Sequence, residues 1–276
     1  MTTGSYKLRF WGVRGTVATP EAGKLGYGGN TSCLAVDLGD REHLVLDCGT
    51  GIRLLGNQQA KRPGSHRYHI FFSHYHLDHI IGLPFFQPLY DRSSTIVFHG
   101  FGAGGHSVAE ILQRFMSPPY FPVLLRNVPA TVQYVTDDSK PVQVGGLTVN
   151  SLALNHPDGC LSYRLTHGDR KIVYATDHEH GNTKTDQDLV DFSIGADHLI
   201  YDAMYQETEY EKLRRGWGHS TWYAAVRVAI AAGVKNLVLF HHSPDHTDEE
   251  LEKVLGLARE ELPLSHLAAE GMELEF

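Results

Sequence analysis

Cysteine is scarce in this chain of 276 residues. Cys33, Cys48 and Cys160 are scattered, odd in number and never in C-x-x-C spacing. That excludes a disulfide framework and a thiolate zinc module, and it fits three reduced core thiols in a cytoplasmic protein. Long apolar runs are missing too; none approaches the roughly 20 residues of a membrane helix. The opening MTTGSYKLRF has no basic segment followed by an apolar one, so no signal peptide is expected. Positive charge is in deficit: 24 Lys and Arg face 32 Asp and Glu, for a formal net charge of −8 with histidine neutral. A general electrostatic grip on nucleic acid is therefore not expected, which leaves only a local basic patch. Repeats, low-complexity tracts and long linkers are absent, and residues 1–276 read as one domain.

Histidine, by contrast, is abundant, with 18 copies. Neutral imidazole is the commonest metal ligand, so the excess prompts a search for a metal site. The stretch FFSHYHLDHIIGLPFF, residues 71–86, places His74, His76, Asp78 and His79 within six positions between apolar runs. His74 and His76 follow a strand two apart, so in extended chain both rings project to one side. Asp78 and His79 come where the chain must turn, so they can reach toward a second ion. Each half-site lacks a ligand that must come from elsewhere.

The remaining pattern predicts many short strands with interspersed helices. Strands are expected over 6–12, 32–39, 43–49, 68–74 and 94–100. More follow in TVQYV, PVQV, LTVNSLAL, CLSYRLTH and KIVYATD, then a strand plus loop over 197–205 and a strand over 236–242. A short helix disturbed by Pro84 and Pro88 is expected in IIGLPFFQPLY. Further helices are expected over 106–116, 183–195, 220–233 and 247–260. For the last two, the expected signals are Ser220 as N-cap with Gly233 as the stop, and a Thr247–Glu250 capping box.

Three downstream residues close predicted strands: His156, Asp177 and His241. Such edges collect functional side chains in open sheets. A carboxylate such as Asp177 can bridge two cations at the roughly 3.5–4 Å that two-metal hydrolysis requires. His178 and His180 follow in a polar loop and read as surface or supporting groups. His242 adjoins His241 and should point to the opposite face. The other histidines fit no such pattern.

The ordered pattern HYHLDH, then His156, Asp177 and His241, resembles the metallo-β-lactamase-fold hydrolases. It spans residues 74–241, and flanking strand–turn features extend it over nearly the whole chain. Three further segments look most like the phosphodiesterase branch, which contains tRNase Z and bacterial cyclic-phosphate phosphodiesterases. They are ADHLIYDAMY (196–205) with Asp202 before alanine, GHST (218–221) opening a helix, and LVLFHHS (237–243). FWGVRGTVATP and YGGNTSC also look like small members of that branch.

The resemblance implies an α/β fold, an αββα sandwich of two mixed β-sheets with helices on the outer faces and a dinuclear site at one edge. His74, His76 and His156 would hold one metal, and Asp78, His79 and His241 the other, with Asp177 between. Asp47, in LDCGTG, would brace the ligand loop by hydrogen bonds. His219 would be the general acid or oxyanion donor, oriented by Asp202. Imidazole and carboxylate ligands without thiolate suit two divalent ions, with zinc the default and manganese or iron the rivals.

Two departures stand out. The acid of tRNase Z is normally glutamate, and Asp202 is one methylene shorter. The arm by which bacterial tRNase Z grips tRNA has no room, because His156 and Asp177 lie only 21 positions apart, filled by a hairpin-like segment. The expected substrate is therefore a small, cyclic phosphodiester, such as a cyclic nucleotide or a phosphoribosyl cyclic phosphate. Nucleic acid and membrane partners are not expected, and a homodimer is the family's habit. The alternatives are a tRNA 3′-end endonuclease, a lactonase, thioesterase or β-lactamase, and a non-catalytic metal-binding module of the same fold. Arg14 reads as surface rather than as a phosphate ligand. Tyr120 and Phe121 read either as a roof for the pocket or as packing on helix 106–116.

Overall fold

The computed structural model describes residues 5–137 and 139–276. Its strands form two seven-stranded sheets. The first contains β1 (Lys7–Gly12), β2 (Cys33–Asp37), β3 (Glu42–Leu46), β4 (Arg67–Phe71), β5 (Thr95–Gly100) and β6 (Thr131–Thr136), with β14 (Glu273–Glu275) at the edge beside β1. The second contains β7 (Val142–Val144), β8 (Leu147–Leu154), β9 (Cys160–His167), β10 (Arg170–Ala175), β11 (His198–Asp202), β12 (Asn236–Phe240) and β13 (Ser265–Leu267) in spatial order. Both are mixed: β3 to β6 pair parallel in the first sheet, and β10 to β13 pair parallel in the second.

Side-chain alternation explains the layering. Leu44 and Leu46 face the space between the sheets, and Val45 faces outward. On the opposing sheet Val238 and Phe240 point inward while Leu237 and Leu239 point outward. With both faces of these strands apolar, each sheet must be covered twice. Helices α1 (Ile52–Gln59), α2 (Leu77–Ile80) and α3 (Val108–Phe115) bury Ile52, Leu55, Ile80, Val108 and Leu112 against the outer face of the first sheet. Helices α4 (Thr183–Ser193), α6 (Trp222–Ala232) and α7 (Asp248–Glu261) cover the second. Between α4 and α6 lies a short helix, α5 (Glu207–Glu209), that widens into a π-turn over Tyr210–Arg214. The expected αββα sandwich is therefore present. Among the described residues no helix is long and apolar enough to cross a membrane.

Some local expectations need correction. The helix after the histidine cluster falls on Leu77–Ile80, earlier than expected, and Pro84 and Pro88 sit in separate 3-10 turns. The N-cap of α6 is Thr221, whose side chain accepts from Ala224 N, while Ser220 Oγ donates instead to His178 O. Gly233 does end that helix in the left-handed conformation, and the Thr247–Glu250 capping box is formed.

Arg14 is the largest departure, because it is fully buried. Its guanidinium donates to the carbonyls of Gly28, Lys24, Ser243 and His246 at 2.9–3.1 Å, and it approaches Asp248 at 3.4 Å. One side chain thus ties the loop after β1 to the loop after β12. Removing it leaves the buried carbonyls of Gly28 and His246 unpaired and strips a donor from those of Lys24 and Ser243. Arg14→Met should therefore cost about 3–5 kcal/mol, seen as a lower denaturant midpoint at unchanged slope. A loss below about 1 kcal/mol would show that the tie is dispensable.

A candidate metal centre

The C-terminal ends of β3, β4, β8, β10, β11 and β12 converge on one edge of the sandwich. Three of the chains leaving that edge do so through a non-glycine residue with positive φ: Asp47 at 60°, Asp177 at 49° and His241 at 59°. This conformation is uncommon for side-chain-bearing residues and concentrates at functional sites. Here it turns each side chain back toward the gap between the sheets. Asp78 and His79 arrive on α2, while His74 and His76 lie in the loop before it. His242 points away, with Nε2 on Ala268 O, as the alternation predicts.

These residues fall into two sets. One ligating atom each from His74, His76 and His156 lie within 4.8 Å of one another, and so do those of Asp78, His79 and His241. Asp177 stands between them. Its Oδ1 lies 3.2 Å from His79 Nε2 and 3.3 Å from His241 Nε2. Its Oδ2 lies 3.5 Å from His74 Nε2 and 3.8 Å from His156 Nε2.

The donor chemistry fits divalent cations. His156 Nδ1 donates to Gly218 O at 2.7 Å, so its Nε2 presents a lone pair toward His76 Nδ1 at 3.1 Å. His79 Nδ1 donates to Asp47 Oδ2 at 2.9 Å, and its Nε2 faces Asp78 Oδ2, Asp177 Oδ1 and His241 Nε2 at 3.2–3.3 Å. His74 Nε2 is buried with no hydrogen-bond partner. Acceptors pointed at one another this closely repel unless a proton or a cation lies among them. Without cations the protons are shared unevenly. Burial and its imidazole neighbours hold the His74 pKa well below the usual range, whereas at His79 three carboxylates outweigh burial and raise it.

Asp47 supports this edge as the resemblance implies. Its carboxylate accepts from Ser73 N, Ser73 Oγ, His79 Nδ1 and Tyr174 OH at 2.7–2.9 Å. Asp78 is steadied by the backbone N–H of Thr16 at 2.8 Å. A Cβ on Gly15 would lie 2.4 Å from the His241 ring, so only glycine lets the N-terminal loop pass there.

His219 and Asp202 also meet. Despite its shorter side chain, Asp202 accepts from His219 Nδ1 at 2.8 Å, and His219 Nδ1 lies 3.8 Å from Asp177 Oδ2. Burial opposes charge on His219, but Asp202, with smaller help from Asp177 and Asp78, pushes its pKa up to about 9. Cations at the two ligand sets would draw it back down. A cavity of about 400 Å³ opens beside this pair, lined among others by His76, Asp78, Asp177 and His219.

Sequence reasoning missed Glu179. This buried carboxylate accepts from Tyr210 OH, Gly216 N and Gly218 N at 2.6–2.9 Å. It therefore fixes the loop whose Gly218 carbonyl orients His156. Nothing in DHEHG marks it, since its partners are mostly backbone groups. His178 is not at the surface: it is buried, with Nε2 on Asp186 at 3.0 Å. Asn30 and Thr31 are engaged by Glu270 and Thr50, and Tyr120 is solvent-exposed while Phe121 packs edge-on to Phe85.

Residues 42–242 match the beta-lactamase superfamily domain. The chain belongs to this superfamily. The chain is 26% identical to the ribonuclease Z of Thermoplasma volcanium, with 98% of this chain and 97% of that protein covered. Among solved structures it is similar to the metallo-beta-lactamase fold protein YhfI of Bacillus subtilis, with a TM-score of 0.72 at 21% identity over 99% of both chains. It is also similar to a diphosphatase of the PhnP family, with a TM-score of 0.72 at 18% identity over 98% of both chains. The expected superfamily and fold class are thus borne out: this superfamily member is a metal-dependent hydrolase, and its relatives by sequence include ribonuclease Z proteins.

Asp47→Asn keeps the size of the side chain but removes the charge that orders His79. It should lower divalent-metal affinity about 10–100-fold, measured by competition with a chromogenic chelator. Unchanged affinity would remove Asp47 from the support of the centre.

Proposed function

We propose that this protein hydrolyses a small cyclic phosphodiester at a centre of two divalent cations. The ligands would be His74, His76 and His156 for one and Asp78, His79 and His241 for the other, with Asp177 shared. Zinc suits this set of imidazoles and carboxylates, with manganese or iron the alternatives. The observation that supports the reading is the Asp202–His219 pair set against Asp177, in which His219 would be the proton donor beside the two candidate ligand sets. Bound cations supply ionised water near neutral pH and draw charge from phosphoryl oxygens.

The chain's own residues then divide the work. Asp202 holds the Nδ1 proton of His219 and so fixes the tautomer and ring plane. His219 Nε2 carries the proton that a departing alkoxide needs. The split of the Asp177 carboxylate keeps the two ligand sets in register.

A second reading, tRNA 3′-end processing, is favoured by the ribonuclease Z relatives. Against it, β9 and β10 form a tight antiparallel hairpin between His156 and Asp177, where a tRNA-gripping arm would be inserted. The net charge of −8 points the same way.

The test is a preparation of known metal content offered cyclic AMP, bis-p-nitrophenyl phosphate, precursor tRNA, a lactone and a β-lactam. Turnover of the small diesters, with weak or no cutting of tRNA, is expected. No phosphodiester turnover at full metal occupancy would overturn the proposal. His219→Ala should cut kcat about 10²–10⁴-fold on cyclic AMP, whose leaving group is an alkoxide. It should cost far less on bis-p-nitrophenyl phosphate, because nitrophenolate leaves without a proton. Equal losses on both would assign His219 to another task.

A further inference from the structure

We infer that Trp217 and Arg214 form a platform that receives the planar base of a nucleoside-bearing phosphodiester. The inference rests on the phosphodiesterase reading and narrows its substrate to the nucleotide class. Of the three tryptophans, Trp11 is buried and Trp222 partly buried, while Trp217 is 56% exposed. An exposed indole forgoes a large burial gain. This one lines the same cavity as Asp78, Asp177 and His219.

Its exposure is built in rather than a product of slack. Gly216 and Gly218, on either side, both adopt left-handed φ, at 85° and 88°. Both of their N–H groups donate to the buried Glu179, which also accepts from Tyr210 OH. The indole therefore sits on a loop pinned at both flanks. Preorganised aromatic surface of this kind costs a ligand little to engage.

Arg214 completes the platform. Its guanidinium lies 4.4 Å from the Trp217 ring centroid and 5.9 Å from that of Tyr205, and it lines the cavity. Its ion pair with Asp245 is long, at 3.8 Å. Among the described residues its side chain donates no close hydrogen bond that would keep it from a ligand. A cation over an indole with open surface favours a stacked π-ring, and the guanidinium can donate to the base edge or to a ribose oxygen. A phosphoryl group at the metal ligands and a base on Trp217 would occupy one cavity at its two ends. A cyclic phosphate without a base leaves the platform empty.

The test compares cyclic AMP with glycerol 1,2-cyclic phosphate, a diester without a ring system, on the metal-loaded enzyme. Trp217→Ala should raise KM for cyclic AMP about ten- to hundredfold, with kcat within about threefold. KM for the glycerol diester should stay put, and Trp217→Phe should restore most of the loss. Arg214→Gln should act in the same direction and covers the case in which the alanine variant fails to fold. An equal effect on both diesters, or none on cyclic AMP, overturns the platform. Tryptophan fluorescence provides a readout without turnover. AMP should quench the wild type and not Trp217→Phe, whereas glycerol phosphate should quench neither. If the enzyme hydrolyses no diester, the broader reading fails while this titration still decides the platform. If diesters turn over without the quench, the platform alone fails.

Discussion

One buried carboxylate facing two ways sets the terms for everything around it. Asp177 directs Oδ1 to His79 and His241 and Oδ2 to His74 and His156, at 3.2–3.8 Å. A carboxylate this buried needs close compensation. Five imidazoles and Asp78 crowd it, and they hold more lone pairs than protons can satisfy without leaving some pairs repelling. The opposite displacements of His74 and His79 are the signature of that frustration. Divalent cations would resolve it more completely than any proton arrangement, because each accepts several lone pairs at once. The cluster is thus costly to the empty protein, and metal bound there would stabilise the fold.

The second constraint is positional. Ligands come from both sheets, so the sheets must hold their edge to within fractions of an ångström. The Phe10–Phe240 core between the sheets sets the spacing, and Arg14 locks the loop after β1 to the loop after β12. That lock brings Gly15 against the His241 ring and Thr16 N to Asp78, so a residue that touches no ligand nonetheless fixes two. Asp47 and Glu179 do the same from opposite sides, one through His79 and the other through the carbonyl of Gly218. Asp47 is held by backbone, hydroxyl and imidazole donors, and Glu179 by backbone groups and a tyrosine hydroxyl, so the fold itself satisfies both buried carboxylates.

This division explains what could be read from the chain alone. HYHLDH, His156, Asp177 and His241 were legible because metal ligands are few in type and fall at strand ends, where hydrophobic alternation stops. Asp202 and His219 were legible through DAMY and GHST. Arg14 and Glu179 were not, because most of their partners are backbone groups up to 232 residues away, and a carbonyl leaves no trace in residue type. The same limit hid the π-turn over Tyr210–Arg214 and the three-residue strands β13 and β14, which are too short for any period to register. The left-handed turns at Asp47, Asp177 and His241 were equally silent, since no glycine marks them.

Substrate choice is then a matter of what the shared chemistry leaves undetermined. The ligand edge can polarise any phosphodiester that reaches it, so discrimination must come from the walls. One wall is the loop from Tyr210 to His219, which carries Arg214, Trp217 and His219 on one pinned segment, and beside it lies the loop after β12, with Ser243, Pro244 and Asp245. On the proposed reading, a base seated on Trp217 is held equally well before and in the transition state, so the platform selects by affinity and leaves the rate of the bound diester to the metal edge and His219. A substrate without that anchor would still reach the metal edge, only at a higher concentration.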